Sequence, residues 1–196
     1  TGADTDAQGN VLIVDQRNNR IQKFDPNGVF LEDWGSGFSG PWDVAGGPSG
    51  DHFVSDQNFR IRKFDAAGNF IMQWGSYGSG LNQMQNPRGI DADASNNVYV
   101  ADSGNHRILK FSDTGTPLPA IGINGNGPGQ FNGPRGVALD DESYIYVADT
   151  GNHRIQKFSG DNFVTQWGSP GSGEGQFFQP YDVTVDRSGN VWVADT

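Results

Sequence analysis

The sequence of 196 residues contains no cysteine, which excludes disulfide bonds and thiolate metal sites. Reducing and oxidising compartments both accept such a chain, so this absence does not locate the protein. No run of apolar residues approaches the length of a membrane span, and the sequence therefore predicts none. There is also no Asn-x-Ser/Thr sequon, so N-glycosylation is not expected.

Basic residues are scarce: Lys and Arg number 13 against 23 Asp and Glu, which gives a net charge of −10. Nine of the acidic and eight of the basic residues recur at fixed positions of a repeat, and they are interpreted as turn caps and paired charges of the fold. The basic residues outside the recurring positions are Arg17, Arg62, Arg88, Arg135 and Arg187. An acidic chain with so few unassigned bases argues against a nucleic-acid partner.

The chain is instead rich in glycine, with 29 residues, and it contains an internal repeat. A segment of fifteen residues occurs five times without a gap, at 1–15, 42–56, 88–102, 135–149 and 181–195. The final Asp of successive copies is separated by 41, 46, 47 and 46 residues. A period of this length indicates a repeat architecture, in which each supersecondary unit packs on the next.

Each repeat is predicted to form four short strands, because β-branched and aromatic residues fill its apolar runs and helical periodicity is absent. Four antiparallel strands followed by a glycine-rich linker indicate an all-β fold of the β-propeller type. A β-sandwich would explain the strands but not the five gapless copies. The strands predicted in the fourth copy are Gly136–Asp140, Tyr144–Ala148, Arg154–Phe158 and Phe163–Trp167. The predicted blades span 1–40, 41–86, 87–133 and 134–179, with a partial blade at 180–196.

The residues that follow the second predicted strand carry a family resemblance. Val-Ala-Asp-Thr-Gly-Asn-His-Arg-Ile at 147–155 and Val-Ala-Asp-Ser-Gly-Asn-His-Arg-Ile at 100–108 resemble the signature of NHL repeats, as does the linker at 125–131. The resemblance covers essentially the whole chain, although Asn18-Asn19 and Asn58-Phe59 replace the Asn-His pair in the first two copies. It implies a β-propeller, commonly six-bladed, used for protein, RNA or ligand binding and only in some branches for lyase chemistry.

Residues that could carry chemistry are mostly explained by the repeat. His106 and His153 share one turn position and are interpreted as structural, whereas His52 begins a strand without a companion. The Asp–Arg pair, such as Asp102 with Arg107, recurs in four copies, and a catalytic group would not be needed four times. The sequence therefore predicts no catalytic residue, no metal site and no cofactor.

One tryptophan position is also assigned to the fold. Trp34, Trp74 and Trp167 end the fourth strand of their repeats. They are expected to pack in contacts between a blade and a linker. Display of these indoles to a ligand is not expected.

One pair of positions varies where the rest of the repeat does not. The opening pair, which begins each first strand, reads Thr1-Gly2, Trp42-Asp43, Arg88-Gly89, Arg135-Gly136 and Tyr181-Asp182. In a propeller this pair would lie around the mouth of the central channel, on a face that commonly binds ligands. Aromatic rings with carboxylates suit sugars, and neighbouring arginines suit a carboxylate or another anion. The predicted ligand-binding residues are Trp42, Asp43, Arg88, Arg135, Tyr181 and Asp182; exposed strand starts without a ligand are the alternative.

The sequence thus favours a non-enzymatic binding or scaffolding propeller for a protein, carbohydrate or anionic ligand, with an extracytoplasmic location favoured over others. A propeller lyase or hydrolase with a metal at the channel mouth is the alternative, and an RNA-binding NHL domain is disfavoured by the charge. The five copies amount to about four and a half blades, whereas a six-bladed ring would need roughly 270 residues. The chain is therefore expected to be part of a longer propeller, whose missing blades come from the rest of a parent chain or from a partner.

Overall fold

The computed structural model describes residues 2–35 and 37–196. Thr1, a member of the opening pair, and Ser36 lie outside the described residues. Throughout these ranges the regular structure consists of β-strands and single turns of 3-10 helix, which confirms the all-β class. Within them, no helix is long and apolar enough to cross a bilayer.

The strands pair in chain order into antiparallel sheets of four strands each, as predicted for a repeat. Four such sheets are formed in the described part of the chain, followed by a sheet of two strands; a short parallel pair lies in one linker. Sheet 1 contains β1 (Ala3–Thr5), β2 (Val11–Asp15), β3 (Arg20–Phe24) and β4 (Phe30–Trp34), and sheet 2 contains β5 (Pro41–Gly46), β6 (His52–Asp56), β7 (Arg60–Phe64) and β8 (Phe70–Trp74). Sheet 3 contains β9 (Pro87–Ala92), β10 (Val98–Asp102), β11 (Arg107–Phe111) and β12 (Pro117–Ile121), and the linker pair is β13 (Ile123–Asn124) and β14 (Gln130–Phe131). Sheet 4 contains β15 (Gly136–Leu139), β16 (Tyr144–Asp149), β17 (Arg154–Ser159) and β18 (Asn162–Trp167), and sheet 5 contains β19 (Asp182–Val185) and β20 (Val191–Ala194).

The hydrophobic core lies between neighbouring sheets. Strands β6 and β10 are buried at every position, because a further sheet covers each of their faces. Strand β2 instead alternates between buried and more exposed positions, as expected when one face is covered. Between sheets 2 and 3, for example, Phe53 and Trp74 pack with Ile90 and Phe111. Stacking of the repeats therefore builds the core, as the repeat pattern implies.

The turn between the second and third strands ends in a left-handed residue in sheets 1 to 4: Asn19, Phe59, His106 and His153 have φ values of 54°, 58°, 56° and 55°. This conformation is unusual for a bulky residue such as Phe59. The turn includes one turn of 3-10 helix in sheets 1, 3 and 4, whereas residues 57–59 of sheet 2 form a simple turn. The departures of the first two copies from the NHL pattern therefore keep the left-handed end of the turn.

The recurring Asp–Arg pair fastens this turn to the linker that precedes its sheet. In sheet 4, Arg154 Nε donates to Asp149 Oδ2 at 2.8 Å, and its two Nη atoms reach the carbonyls of Asn126, Gly127 and Gln130. The other carboxylate oxygen, Asp149 Oδ1, accepts the linker N–H of Asn132 at 2.7 Å. In sheets 3 and 4 the carboxylate thus holds the linker. In sheet 2, Asp56 Oδ1 accepts the N–H of Asn58 and caps the turn as predicted.

The tryptophans that end the fourth strands mostly contact the next sheet. Trp34 stacks on His52 with 5.4 Å between ring centroids, and Trp74 lies 5.9 Å from Phe111. Trp74 is 7% exposed, so its indole is part of the core. Linker residues share the same clusters, as expected: Phe38 lies with Trp34 and Met84 with Trp74. Trp167 packs within its own sheet, 6.3 Å from Tyr146.

The first strands of the sheets run side by side around a central channel. Gly2 N donates to Trp42 O at 3.0 Å, and Gly89 N donates to Arg135 O at 2.8 Å, so neighbouring first strands are joined by their backbones. Because the strands approach so closely, a Cβ atom on Gly136 would lie 2.6 Å from Asp182 Oδ1. The described members of the five opening pairs are thereby brought to one end of the channel.

Candidate functional site

All six residues predicted from the opening pairs line one cavity at the channel mouth. The cavity has a volume of about 150 Å³, and its remaining lining comes from Gly2, Gly89 and Ala194. The six predicted residues are each partly exposed, as wall residues of an open cavity should be. They are Trp42, Asp43, Arg88, Arg135, Tyr181 and Asp182.

The two arginines of the cavity lie against aromatic rings. The guanidinium carbon of Arg88 is 3.6 Å from the ring centroid of Trp42, and that of Arg135 is 4.9 Å from the centroid of Tyr181. Arg88 also donates from an Nη atom to the Tyr181 hydroxyl at 3.2 Å. Tyr181 thus contacts both guanidinium groups.

The charge of Arg88 is poorly compensated. Burial lowers the pKa of Arg88, the nearby Tyr181 opposes this effect, and the charge of Arg135 lowers the pKa further. Its Nε atom is buried and has no hydrogen-bond partner. Within the described residues, no carboxylate forms an ion pair with Arg88 or Arg135. The arginines of the recurring Asp–Arg pair each form one; they are Arg20, Arg60, Arg107 and Arg154. Among the described residues, the cavity therefore presents two cations without an ion-pair partner.

The carboxyl groups of Asp43 and Asp182 lie deeper in the channel wall. Loss of solvation raises the pKa of Asp43 well above its ordinary value, and the charge of Asp182 raises it further. Burial also raises the pKa of Asp182. Asp43 Oδ2 accepts the N–H of Ile90 from the next first strand at 3.0 Å, so this side chain also joins two sheets.

Sequence reasoning missed two further carboxyl groups in the channel. Asp4 and Asp91 occupy the fourth position of the repeat, and a smaller cavity of about 50 Å³ is lined by them together with Asp43 and Asp182. Asp4 Oδ2 accepts Gly46 N at 2.8 Å and Asp91 Oδ2 accepts Leu139 N at 2.7 Å. Burial, followed by the charge of Asp4, raises the pKa of Asp91 to about 8. The alternation of Asp with Ala at this position of the repeat could have identified these two residues from the sequence.

The histidines lie outside this cavity. His106 Nδ1 accepts the N–H of Gly133 at 2.9 Å, and His153 Nδ1 accepts that of Gln179 at 3.1 Å, so both hold a linker to a turn. His52 is fully buried beneath Trp34. Across the ranges that the structure describes, no group of three or more His, Asp or Glu side chains is placed to hold a metal ion.

Comparison with known proteins identifies the repeat and the fold. The family model described as NHL repeat matches residues 84–111 and 131–158, whereas no curated protein sequence matches the chain. A selenomethionine-substituted virginiamycin B lyase from Staphylococcus aureus is similar in structure, with a TM-score of 0.72 and 15% identity over 99% of this chain. The chain spans 62% of the length of that lyase.

Two further solved structures show the same likeness. A streptogramin B lyase has a TM-score of 0.71 and 16% identity, covering 98% of this chain and 75% of its own. A chain of a nidogen–laminin complex has a TM-score of 0.74 and 20% identity, covering 99% of this chain and 71% of its own. At these identities the likeness establishes the β-propeller fold alone.

Proposed function

Since the chain is an NHL-repeat β-propeller, we propose that it is a non-enzymatic binding module whose channel mouth receives an anionic group of a protein or carbohydrate ligand. The observation that carries this proposal is the pair of arginines, Arg88 and Arg135, that face one cavity without an ion-pair partner among the described residues. A guanidinium group binds a carboxylate through two parallel hydrogen bonds, and such charge-assisted bonds are about twice as strong as neutral ones.

The arginines are held ready for such a ligand. Stacking on Trp42 and Tyr181 restricts their side chains, which lowers the entropy that binding would otherwise cost. The unsatisfied Nε of Arg88 is a buried donor, and leaving such a donor without an acceptor is unfavourable. An incoming carboxylate would supply the missing acceptor and the missing charge together.

The size of the cavity limits what it can hold. Its volume of about 150 Å³ lies below the roughly 300–1,000 Å³ of sites that enclose a whole small-molecule ligand. One acidic side chain or one carboxylate substituent of a sugar fits this space, and the rest of the ligand would lie across the surrounding face. Arg88 covers one face of Trp42 and Arg135 lies against Tyr181, so neither ring offers both of its faces to the ligand.

A protein ligand is supported by one of the structural relatives. The nidogen–laminin structure contains a propeller within a complex of two proteins. The alternative, a lyase or hydrolase, is supported by the two lyases of the same fold and by the raised pKa values of Asp43 and Asp182, since protonated carboxyl groups can serve as general acids. The unpaired arginines favour binding, because an acid function would not require them.

The test is binding of the double variant Arg88→Ala/Arg135→Ala to arrays of acidic and neutral peptides and glycans. Loss of two charge-assisted contacts should weaken binding of acidic ligands by about 10-fold or more, while the melting temperature stays close to that of the wild type. Arg187→Ala is the matched control, because Arg187 is exposed in the turn at the far end of β19. Unchanged binding in the double variant would refute the site, and stoichiometric metal in the purified protein would favour the enzyme.

A further inference from the structure

The linker between sheets 3 and 4 contains residues that are open to a chemical change. An asparagine that is followed by glycine can close into a succinimide, because glycine has no Cβ to hinder its backbone nitrogen as that nitrogen attacks the side-chain amide. The sequence contains four such pairs, which begin at Asn27, Asn124, Asn126 and Asn132. The pairs differ in the group that accepts the N–H of the glycine.

In three of the pairs the acceptor is an amide oxygen. The distances from the glycine nitrogen are 2.9, 3.0 and 2.9 Å, and the acceptors, in chain order of the pairs, are Asp25 O, Phe131 O and Gln130 Oε1. An amide oxygen is too weak a base to remove a backbone proton at neutral pH. These bonds therefore hold the glycine nitrogen as an unreactive amide.

The fourth pair, Asn132 with Gly133, presents its nitrogen to a base. Gly133 N donates to His106 Nδ1 at 2.9 Å. A backbone N–H can only donate, so Nδ1 supplies a lone pair and the imidazole in this bond is neutral. The distance lies within the range of about 2.6–3.2 Å over which a general base can abstract a proton.

The side-chain amide of Asn132, which is the group under attack, is held against the next turn and is open to solvent. Its Nδ2 donates to Gly151 O at 3.3 Å, and a Cβ atom on Gly151 would lie 2.6 Å from Asn132 Cγ. The residue is exposed, so the water that opens a succinimide can reach it. The nucleophile and the electrophile thus lie in one ordered segment, beside a base and accessible to water.

Equivalent linkers make the same contact without the same chemistry. Before sheet 2, Gly40 N donates to Asn19 Oδ1 at 2.7 Å, so the acceptor there is an amide, and no asparagine precedes this glycine. Before sheet 5, His153 Nδ1 accepts Gln179 N at 3.1 Å, but the preceding residue is Phe178. The contact belongs to the repeat, whereas the asparagine that makes it reactive belongs to the linker before sheet 4.

We propose that Asn132 is a site of spontaneous deamidation in which His106 serves as the general base for closure of the succinimide. The N–H proton of Gly133 passes to His106 Nδ1 as the nitrogen forms a bond to Asn132 Cγ. The bond between Cγ and Nδ2 then breaks, and the departing nitrogen takes that proton and leaves as ammonia. Water opens the ring at either carbonyl, which leaves an aspartate or an isoaspartate at position 132.

The isoaspartate form has a longer linker. Its main chain runs through the side-chain carbon, which adds an extra backbone atom between position 132 and Gly133. In the unmodified chain, Asp149 Oδ1 holds the nitrogen of Asn132 and His106 Nδ1 holds the nitrogen of Gly133. An extra atom between these two fixed points breaks at least one of the bonds and loosens the junction of sheets 3 and 4. This site is separate from the channel mouth, so failure of either proposal leaves the other standing.

The test is peptide mapping by mass spectrometry after storage at neutral pH, with the native chain and the urea-unfolded chain incubated in parallel. In the native chain, Asn132 should be converted at least about 10-fold faster than the other three asparagines, since a positioned general base typically contributes about 100-fold or more. In the unfolded chain the rates should converge, because His106 is no longer held against the nitrogen.

The matched variant is His106→Asn, because Asn19 shows that an asparagine at this turn position still accepts the linker N–H. Conversion at Asn132 should slow by about 10-fold or more, while the other rates and the melting temperature stay unchanged. If His106 only held the linker, its replacement would leave the rate unchanged or raise it, since a looser chain closes the ring more readily. His106→Gly suits the left-handed backbone, and added imidazole should restore its conversion at Asn132 relative to the other sites.

The stored protein provides a second measurement. Anion exchange separates the converted chain, which carries an additional negative charge, and its urea midpoint should lie below that of the unconverted chain. Equal rates at Asn132 and Asn124 in the native chain, or undiminished conversion in His106→Asn, would overturn the proposal. An unchanged urea midpoint would overturn the loosening of the linker.

Discussion

Replacing Arg154 by alanine should destabilise the protein by about 3–5 kcal/mol, the cost of breaking a buried ion pair by removing one partner. The Arg154 side chain is 7% exposed and that of Asp149 is not exposed at all. The variant loses the bond to Asp149 and those to three linker carbonyls, which leaves the carboxylate and the linker less satisfied. Asp149 keeps donors from Gln156 and Asn152, and this places the loss toward the lower end of the range.

Urea unfolding measures this loss as a lower midpoint with an unchanged slope. Arg20→Ala is the matched control, because Arg20 makes the same 2.8 Å bond to Asp15 at side-chain exposures of 38% and 21%. Solvent screens the exposed pair, so its removal should cost much less. Equal losses in the two variants would show that burial is not the cause and would refute the reasoning.

The other predictions concern the packed tryptophan and the buried histidine. Trp74→Ala should cost about 3–5 kcal/mol in the same assay, whereas Trp192→Ala, at a side chain 61% exposed, should cost far less; comparable losses would contradict the packing described for Trp74. Burial lowers the pKa of His52 from its ordinary value of 6.5, so the unfolded chain binds a proton first and stability should decrease as the pH falls below about 6.5. His52→Phe should reduce the dependence of the unfolding free energy on pH between pH 7 and 5. If the variant shows the same dependence as the wild type, groups other than His52 are its cause.

The strand order and the place of the opening pairs could be predicted from the sequence because both follow from the repeat. A gapless period defines equivalent positions, and equivalent positions of stacked sheets meet at one end of a common axis. That is why residues as distant in sequence as Trp42 and Tyr181 could be assigned to one cavity. The same reasoning separated the cavity arginines from the arginines of the repeated pair.

What could not be predicted depends on distances between sheets. The stacking of Arg88 on Trp42 and its bond to Tyr181 join three repeats, and a pattern within one repeat does not give those distances. Asp4 and Asp91 were missed because only the variable opening pair was searched, although the fourth position also alternates between Asp and small residues. The contact of Trp34 with His52 was missed because it also crosses from one sheet to the next.

The close approach of the first strands constrains how the channel mouth can vary. A Cβ atom on Gly2 would fall 1.5 Å from Asp43 Oδ1, and one on Gly136 would fall 2.6 Å from Asp182 Oδ1. Backbone atoms add to this crowding, because a Cβ on Gly136 would also lie 2.8 Å from Asp182 Cα and from Val183 N, and a Cβ on Gly89 would lie 2.7 Å from Arg135 O. The spacing of neighbouring first strands therefore fixes these glycines, whatever side chain stands opposite them. New specificities at the mouth are reached through the other member of each pair, at Trp42, Arg88, Arg135 and Tyr181.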